Sequence, residues 1–390
     1  MRRGWIFILI LICLYSYTGY KIGELLPHKK ILPWILTTLI FFTMVGWQFY
    51  TRFNQDIHSS VYIWVTWIGG LTTAFWTMYI LLSLPFDILN FFACGIMSFS
   101  KSSDLDLQRR VLFTQIIPTA VAGASALFVT LGFRTAFHGP EVVETQVFID
   151  NLPNELEGLK IAQISDLHVS AMIDYSYVEG VVKKIIPLIA DLIVFTGDSA
   201  DGKPETLKEF LEPLQELQAP LGKFFVTGNH EYYWGAKSWI QKFESLGFST
   251  LLNESVLIKY KNTEFILGGV TDVSSEQFEP THKSDPVLAL KNLKEKSINT
   301  EKLFKLLLAH RPESCFEAAK AGWHLQLSGH THNGQFFPFK LFMPLAHKYY
   351  RGLNRHENMQ IYVNSGTGYW GPPNRFTVPS EISLLTLRRS

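Results

Sequence analysis

Cysteine is scarce in this sequence, and neither sign of charge predominates. The 390 residues include three cysteines, Cys13, Cys94 and Cys315. Cys13 and Cys94 lie in apolar segments, so the polar part of the chain holds Cys315 alone and no disulfide framework can form within it. We interpret Cys315 as a thiol packed in the core rather than as a nucleophile.

The formal net charge is only +1, from 35 Lys and Arg against 34 Asp and Glu. This balance does not supply the basic stripe that a phosphate backbone requires, so we expect no nucleic-acid partner. Residues 1–132 contain 14 charged residues, whereas the remaining 258 residues contain 55. The first third therefore has the composition of a membrane region and the rest that of a soluble domain, which excludes a disordered or fibrous protein.

Four long apolar stretches occupy the first third of the chain. They cover roughly residues 4–20, 31–50, 61–84 and 111–132. Each has about the 17–25 residues that a helix needs to cross the hydrocarbon core, so residues 1–132 are predicted to form an all-α transmembrane bundle of four helices. No small-residue cleavage site follows the first stretch, which is therefore predicted to be retained. We expect no charged pair at mid-membrane, which favours anchoring over transport.

The distribution of Lys and Arg in the short loops predicts the orientation of this multi-pass integral membrane protein. Six lie on one side, namely Lys21, Lys29, Lys30, Lys101, Arg109 and Arg110, and four on the other, namely Arg2, Arg3, Arg52 and Arg134. The positive-inside rule then places the soluble domain on the extracytoplasmic side. Arg2 and Arg3 taken alone favour the opposite orientation.

A polar stretch with Gly139-Pro140, residues 133–144, is predicted to be the linker to a soluble domain over residues 145–390. Short apolar runs in that domain end at polar turns and alternate with helical patterns. Strands are predicted at Lys160–Ile164, Leu192–Phe195, Lys223–Val226, Leu306–Ala309 and Leu325–Ser328, and helices at Tyr177–Ala190 and Glu205–Leu217. This alternation predicts an α/β fold with its chemistry at the carboxyl ends of the strands.

Residues of metal-binding type follow the five predicted strands. They are Asp166, His168, Asp198, Asn229, His310, His330 and His332. Because residues two apart on an extended segment point to the same side, Asp166 and His168 can hold one ion together. Asp198 has two carboxylate oxygens and can bridge two ions. Oxygen and nitrogen donors without cysteine suit Mn, Fe or Zn, so we predict two divalent metal ions about 3.5–4 Å apart.

The motifs around these residues resemble those of the calcineurin-like metallophosphoesterase superfamily, and within it a membrane-associated bacterial subgroup. They are ISDLH (164–168), TGDSADG (196–202), GNHEYY (228–233), LLAHRPE (307–313), QLSGHTHNGQ (326–335) and YVNSGTGYWGPPNRF (362–376). The resemblance implies a four-layer α-β-β-α metallophosphoesterase sandwich as the catalytic domain over residues 145–390.

The resemblance also implies roles for individual residues. One ion would be held by Asp166, His168, Asp198 and His332, and the second by Asp198, Asn229, His310 and His330. His230 would be an unbound imidazole that contacts the phosphate or protonates the leaving oxygen. The residues themselves favour the same catalytic role, because His230 follows Asn229 and is not needed as a ligand; the alternative is that it only orients a ligand. We expect Asp201 to support the metal ligands.

The predicted function is that of a membrane-anchored, metal-dependent phosphoesterase, with a hydroxide between two ions attacking a phosphodiester, phosphomonoester or pyrophosphate. The apolar run Phe336–Leu345 is interpreted either as ordinary packing or as a lip that admits a lipid-linked substrate. An alternative is an enzyme like UDP-2,3-diacylglucosamine pyrophosphatase of lipid A synthesis. A membrane sensor or scaffold with a degenerate phosphoesterase domain is an alternative of another class, which the complete ligand set disfavours.

Overall fold

The computed structural model describes residues 2–26, 30–54, 56–97, 103–295 and 301–390. The chain divides between Phe133 and Arg134 into two compact units, the second of which comprises residues 134–370 and 374–390. The first unit consists of helices. They are α1 (Arg2–Leu25), α2 (Leu32–Phe53), α3 (Ser60–Met97) and α4 (Ser103–Val111), which continues through a π-helical turn at Leu112–Ile116 into α5 (Ile117–Phe137).

Three segments within the described residues are helical, long and apolar enough to cross a membrane. They are Leu32–Phe53, Ser60–Cys94 and Leu107–Phe137. The first predicted span, residues 4–20, lies in α1. The structure describes the backbone of this helix but not the side chains of residues 2–11. The chain therefore begins with apolar helices as predicted, while the count of four spans stays a prediction. The apolar residues 88–97 that follow the third stretch belong to the same helix, because α3 continues through Pro85 to Met97.

An ion pair joins α1 to α3. Lys21 Nζ lies 2.7 Å from Asp87 Oδ1 and 2.9 Å from Glu24 Oε2, and the Tyr17 hydroxyl also donates to Asp87. We expected no charged pair at mid-membrane; Lys21 and Asp87 lie just beyond the predicted spans 4–20 and 61–84, so that expectation stays a prediction. Lys21, which was assigned to a loop, is a buried residue of α1. The ion pair stabilises its ammonium group, which would be strongly destabilising if it were buried without a partner. Lys29 and Lys101, also used to predict the orientation, lie outside the described residues.

The second unit contains two six-stranded sheets. The first has the order β1 (Glu141–Ile149), β12 (Glu381–Arg389), β2 (Lys160–Ile164), β3 (Leu192–Phe195), β4 (Lys223–Phe225) and β5 (Ser249–Thr250). The second has the order β10 (Gly352–His356), β11 (Met359–Val363), β9 (Leu325–Ser328), β8 (Phe304–Leu308), β7 (Thr263–Gly269) and β6 (Glu254–Tyr260). β2 to β5 are mutually parallel, and so are β7, β8, β9 and β11.

Short helices connect the strands. They are α6 (Tyr175–Ile185), α7 (Pro204–Leu207), α8 (Asn229–Trp234), α9 (Ala236–Ser245), α10 (Leu288–Glu295), α11 (Cys315–Lys320) and α12 (Met343–Ala346). The helix predicted over 177–190 is α6 followed by a 3₁₀ turn at Ile186–Leu188. The helix predicted over 205–217 is α7 followed by a 3₁₀ segment at Lys208–Glu216, which contains Pro213. Cys315 is buried in α11, as its interpretation as a packed thiol requires.

Residues 133–144, predicted to be a linker, are largely regular structure. They contain the end of α5 and the first four residues of β1, which pairs in parallel with β12 from Glu141 onward. Only residues 138–140 separate the helix from the strand. The polar residues in this stretch reflect an edge strand with one exposed face rather than a flexible connection.

Alternation along the strands places one core between the two sheets. Phe304, Leu306 and Leu308 of β8 join the core that both sheets share, whereas Leu307 packs with α10 and α11 on the other face. In the first sheet, Phe224 of β4 faces the shared core. Phe225, its neighbour, stacks on Phe243 of α9 with ring centroids 3.7 Å apart. This period of two therefore buries both faces of the central strands.

Replacement of Phe225 by alanine is expected to lower the free energy of unfolding by about 3–5 kcal/mol, because it removes a buried stacked ring and leaves a cavity. Phe148→Ala, at a half-exposed position of β1, is the control and should cost less than about 1 kcal/mol. Urea unfolding of the detergent-purified protein, followed by tryptophan fluorescence, measures both. Equal losses in the two variants would contradict the packing described here.

Candidate metal centre

The ends of strands from both sheets meet at one edge of the second unit. Asp166, Asp198 and Asn229 follow β2, β3 and β4 of the first sheet, and His310 and His330 follow β8 and β9 of the second. The side-chain amide of Gln163 donates to the Ser328 carbonyl at 2.9 Å, which ties β2 to β9 just before the ligand residues. The parallel strands therefore deliver polar side chains from both sheets to one place, as the sequence predicted.

Three groups of donor atoms lie together there, with every atom of a group within 4.8 Å of the others. The groups are Asp166, His168 and His332; His168, Asp198 and His230; and Asp198, His310 and His330. They include six of the seven predicted ligands, together with His230. The amide oxygen of the seventh, Asn229, accepts a hydrogen bond from Arg311 Nη2 at 3.3 Å.

The backbone at the ligands is unusual. Five of the predicted ligand residues have positive φ, namely Asp166 (52°), His168 (52°), Asp198 (57°), His330 (71°) and His332 (48°). L-residues rarely adopt this left-handed region, and each costs on the order of 1–3 kcal/mol unless its surroundings impose it. The turns reverse the chain where each strand ends and carry the side chains into the centre. Such strain is typical of functional sites.

Two glycines make room for the ligand carboxylates. A Cβ on Gly228 would lie 2.2 Å from Asp198 Oδ1, and a Cβ on Gly329 would lie 2.1 Å from Asp166 Oδ2. These are not glycines needed for a left-handed turn, since neither has positive φ. They allow close approach of one loop to the carboxylate of another, which explains the Gly in the Gly-Asn-His-Glu and Gly-His-Thr-His motifs.

Neighbouring acceptors orient two of the imidazoles. His168 Nδ1 donates to Asp201 Oδ1 at 2.9 Å, and His310 Nδ1 donates to the Thr196 carbonyl at 2.7 Å. Each ring therefore turns its Nε2 toward the centre, as a histidine ligand supported from behind does. Asp201 Oδ1 also lies 2.7 Å from His230 Nδ1, although the ring N–H is poorly aligned for a hydrogen bond.

His332 has the opposite arrangement. Its Nδ1 lies 2.9 Å from Arg375 Nη2, and a guanidinium can only donate hydrogen bonds. The proton of neutral His332 is therefore on Nε2, which lies 3.1 Å from His168 Nε2. A shared proton thus occupies the space between the two ring nitrogens that face each other.

Burial and mutual charge shift the pKa values of the cluster. Burial would raise the pKa of Asp198, but the imidazoles of His310 and His230 hold it well below its usual range. Burial lowers the pKa of His310, but the facing Asp198 carboxylate outweighs this and raises it to about 10. Asp198 and Asp201 likewise raise the pKa of His230 to about 9 against desolvation. Protons therefore supply the positive charge that balances the buried carboxylates.

The donor set fits a pair of divalent cations. Carboxylate oxygens and imidazole nitrogens converge without a thiolate, and Asp198 Oδ2 lies 3.2 Å from His310 Nε2 and 3.8 Å from His168 Nε2. A single carboxylate between two sets of imidazoles is the arrangement expected of a bridging ligand. Nitrogen and oxygen donors of this kind suit Mn, Fe or Zn and do not select among them.

Comparison with known proteins identifies the family. A family model described as calcineurin-like phosphoesterase matches residues 159–334. An uncharacterized metallophosphoesterase of Aquifex aeolicus is 34% identical over 241 residues, which are 61% of this chain and 88% of that protein. The chain belongs to the calcineurin-like metallophosphoesterase family. The family assignment drawn from the sequence motifs is confirmed, and membership supports divalent metal binding and phosphoester hydrolysis.

Two further metallophosphoesterase relatives match this chain over only part of their own length. One from Helicobacter pylori is 37% identical over 261 residues, 66% of each chain. A Danio rerio protein named "Transmembrane protein with metallophosphoesterase domain" is 32% identical over 274 residues, which are 68% of this chain and 61% of that protein. This chain therefore spans slightly less than two thirds of the length of these two relatives. A membrane-associated phosphoesterase is consistent with both the helices and this relative.

Three residues of this metallophosphoesterase escaped the sequence analysis. Arg311 is held by Asp272, whose Oδ2 accepts from its Nε at 3.0 Å, and it contacts Asn229. Arg375 is fully buried and binds His332 and the Ser365 carbonyl. His347 packs its ring 6.0 Å from that of His330. Arg311 and Arg375 lie within motifs that carried the resemblance, so their positions in those motifs were the available signal.

Metal binding at pH 7 is expected to release about one proton, because the raised pKa of His310 leaves a proton on the Nε2 that faces the centre. The apparent affinity should rise with pH until the pKa of His310, about 10, is passed, and should fall as the solution is acidified. Titration calorimetry with Mn²⁺ in two buffers of different ionisation enthalpy measures the release.

His324→Gln is the control for this measurement. Burial lowers the pKa of His324 to about 4, so this histidine carries no extra proton at pH 7, and it lies apart from the cluster, stacked on Phe304. Its replacement should leave proton release unchanged. An identical binding heat in both buffers for the unaltered protein would contradict the protonation described here.

Proposed function

We propose that this metallophosphoesterase hydrolyses phosphate esters with a pair of divalent metal ions. The observation that carries the proposal is the position of Asp198, whose Oδ2 lies 3.2–3.9 Å from nitrogens of His310, His168 and His230. Ions bound on both sides of Asp198 would supply an activated water and would neutralise charge on the phosphoryl oxygens.

The described geometry supports the division of ligands that the family resemblance implies. Asp166, His168 and His332 form one group beside Asp198, and His310 and His330 form another. Asn229 would complete the second group if its amide oxygen bound an ion in place of the hydrogen bond that it accepts from Arg311. Arg311 would then keep its contact with Asp272 and present its remaining N–H groups to a phosphate oxygen.

His230 is proposed to donate a proton to the leaving oxygen. Desolvation lowers the pKa of its ring, but the Asp198 and Asp201 carboxylates outweigh this and raise it to about 9, which favours a protonated imidazole beside them. Its Nδ1 lies 2.7 Å from Asp201 Oδ1, so Nε2 is the nitrogen that faces the cluster, 3.9 Å from Asp198 Oδ2. The rings of Tyr233 and Trp370 lie 5.2 and 6.1 Å from the His230 ring and limit its exposure to water. A positioned acid of this kind contributes about 10²–10⁴-fold to a rate.

Asp198→Ala is expected to abolish Mn²⁺-dependent hydrolysis and metal binding together, whereas His230→Gln should keep its metals and lose about 10²–10⁴ in turnover. Hydrolysis of bis(4-nitrophenyl) phosphate and 4-nitrophenyl phosphate by detergent-purified protein measures turnover, and elemental analysis counts the metals. The ratio of the two esters shows whether diesters or monoesters are preferred. Loss of an ion from His230→Gln would make His230 a ligand instead, and turnover surviving in Asp198→Ala would overturn the proposal.

We further propose that the natural substrate is a lipid-linked phosphate ester. In support, a short series of hydrogen bonds links Glu141, which lies four residues after the apolar helix Leu107–Phe137 ends, to Asp166. The Glu141 N–H donates to the Ser380 carbonyl, Ser380 Oγ donates to the Gly368 carbonyl, and the Gly368 N–H donates to the Asp166 carbonyl. A substrate like UDP-2,3-diacylglucosamine would be one member of this class, while a sensor role would not require the complete ligand set.

The soluble domain is proposed to lie on the extracytoplasmic side, on the count of Lys and Arg in the short loops. With Cys13 and Cys94 replaced by serine and Cys315 buried, a cysteine at Lys259→Cys, an exposed position on β6, should then react with a membrane-impermeant maleimide in intact spheroplasts. Lysed spheroplasts give the maximum signal. Labelling only after lysis would place the domain in the cytoplasm.

A further inference from the structure

An exposed apolar segment borders the metal centre. We name residues 336–351 the ledge; it contains a 3₁₀ turn at Phe339–Leu341 and α12. Leu345 is 85% exposed, Leu341 58%, Phe342 51% and Phe339 37%. Four large apolar side chains exposed within seven consecutive residues form a patch of the kind that marks an interaction surface.

The charges of the ledge are all of one sign. Residues 336–351 contain Lys340, Lys348 and Arg351 but no Asp or Glu. Lys348 and Arg351 are exposed, on the C-terminal side of the apolar residues. Exposed apolar side chains with neighbouring cations and no acidic residue are typical of segments that lie in the interface of an anionic bilayer.

Both ends of the ledge are fixed to the metal centre. The preceding residue, Gln335, donates its N–H to the His332 carbonyl at 2.7 Å. Toward the other end, His347 packs against His330 and lies 2.6 Å from Glu313 Oε1, and the Thr331 hydroxyl donates to the Tyr350 carbonyl. The ledge therefore forms one wall of the site entrance, and a molecule bound to the ledge would lie close to the predicted metal ligands.

The ledge also ends near the strand that follows the last apolar helix. Arg351 and Glu141 line the same cavity, of about 420 Å³, together with Asn333, the residue after His332. Glu141 begins β1 only four residues after Phe137, where the helix ends. This continuity with a membrane-spanning segment favours a bilayer over a protein partner.

We propose that the ledge lies in the surface of the anionic bilayer, with Leu341, Phe342 and Leu345 in the acyl boundary and Lys340, Lys348 and Arg351 at the headgroups. The contact brings the phosphate of a bilayer-resident ester to the metal centre without its lipid chains leaving the membrane. The delivery step rests on the proposed phosphoesterase function, whereas the membrane contact does not.

The contact is tested with a bimane label at Leu345→Cys in protein whose Cys13 and Cys94 are serine, since Cys315 is buried. The protein is reconstituted in vesicles of phosphatidylcholine and phosphatidylglycerol with brominated acyl chains. Bimane at position 345 should be quenched, and bimane at Lys259→Cys, on the edge strand β6 far from β10 in the same sheet, should not. Equal quenching at the two positions, or none at 345, overturns the proposal, and cross-linking of 345 between chains would assign the ledge to a second copy.

The delivery step is tested with the triple variant Leu341→Ser, Phe342→Ser and Leu345→Ser. Its hydrolysis of soluble bis(4-nitrophenyl) phosphate should be unchanged, while hydrolysis of hexadecyl 4-nitrophenyl phosphate in vesicles should fall at least about tenfold. An unchanged ratio of the two rates overturns delivery by the ledge. If the unaltered protein hydrolyses neither ester while position 345 is quenched, the proposed function fails and the membrane contact stands.

Discussion

The second unit depends on holding two buried carboxylates, Asp166 and Asp198, beside several imidazoles in a space from which water is largely excluded. Carboxylates in such a place are destabilising unless positive charge lies next to them. The surrounding structure is arranged around that requirement: left-handed turns aim the side chains inward, Gly228 and Gly329 leave room for carboxylate oxygens, and Asp201 orients His168. Protons balance the charge in the metal-free chain, and divalent ions are suited to replace them.

The sequence was sufficient to predict that these candidate ligand side chains meet, because they follow apolar strands, and the carboxyl ends of parallel strands converge whatever the loops between them do. Local patterns also located β2, β3 and β9 correctly, residue for residue. The same patterns could not reveal Arg375, whose contact with His332 spans 43 residues and depends on the fold of the closing loop. Arg311 and His347 were missed for the same reason.

Two features of the structure that local sequence patterns did not indicate have a common physical origin. Residues 141–144 were assigned to a linker because they are polar, but they form a strand through pairing with β12, some 240 residues away. Lys21 and Asp87 are 66 residues apart and join two helices. In the sequence, each charge taken alone indicates only where an apolar stretch ends. Hydrophobic periodicity reports which face of an element is buried, and it contains no information about a distant partner that satisfies an edge or a charge.

The position of β12 has a consequence for the order of assembly. This strand lies between β1 and β2, so the first sheet cannot be completed until residues 381–389 have been made, long after the apolar helices. Until then both β1 and β2 present an unpaired edge, and Thr367, which bonds both Ser165 and the Glu381 carbonyl, lacks one partner. In a nascent chain the apolar helices are thus complete while the second unit is still open. Edge-to-edge aggregation and chaperone binding compete with folding during this interval.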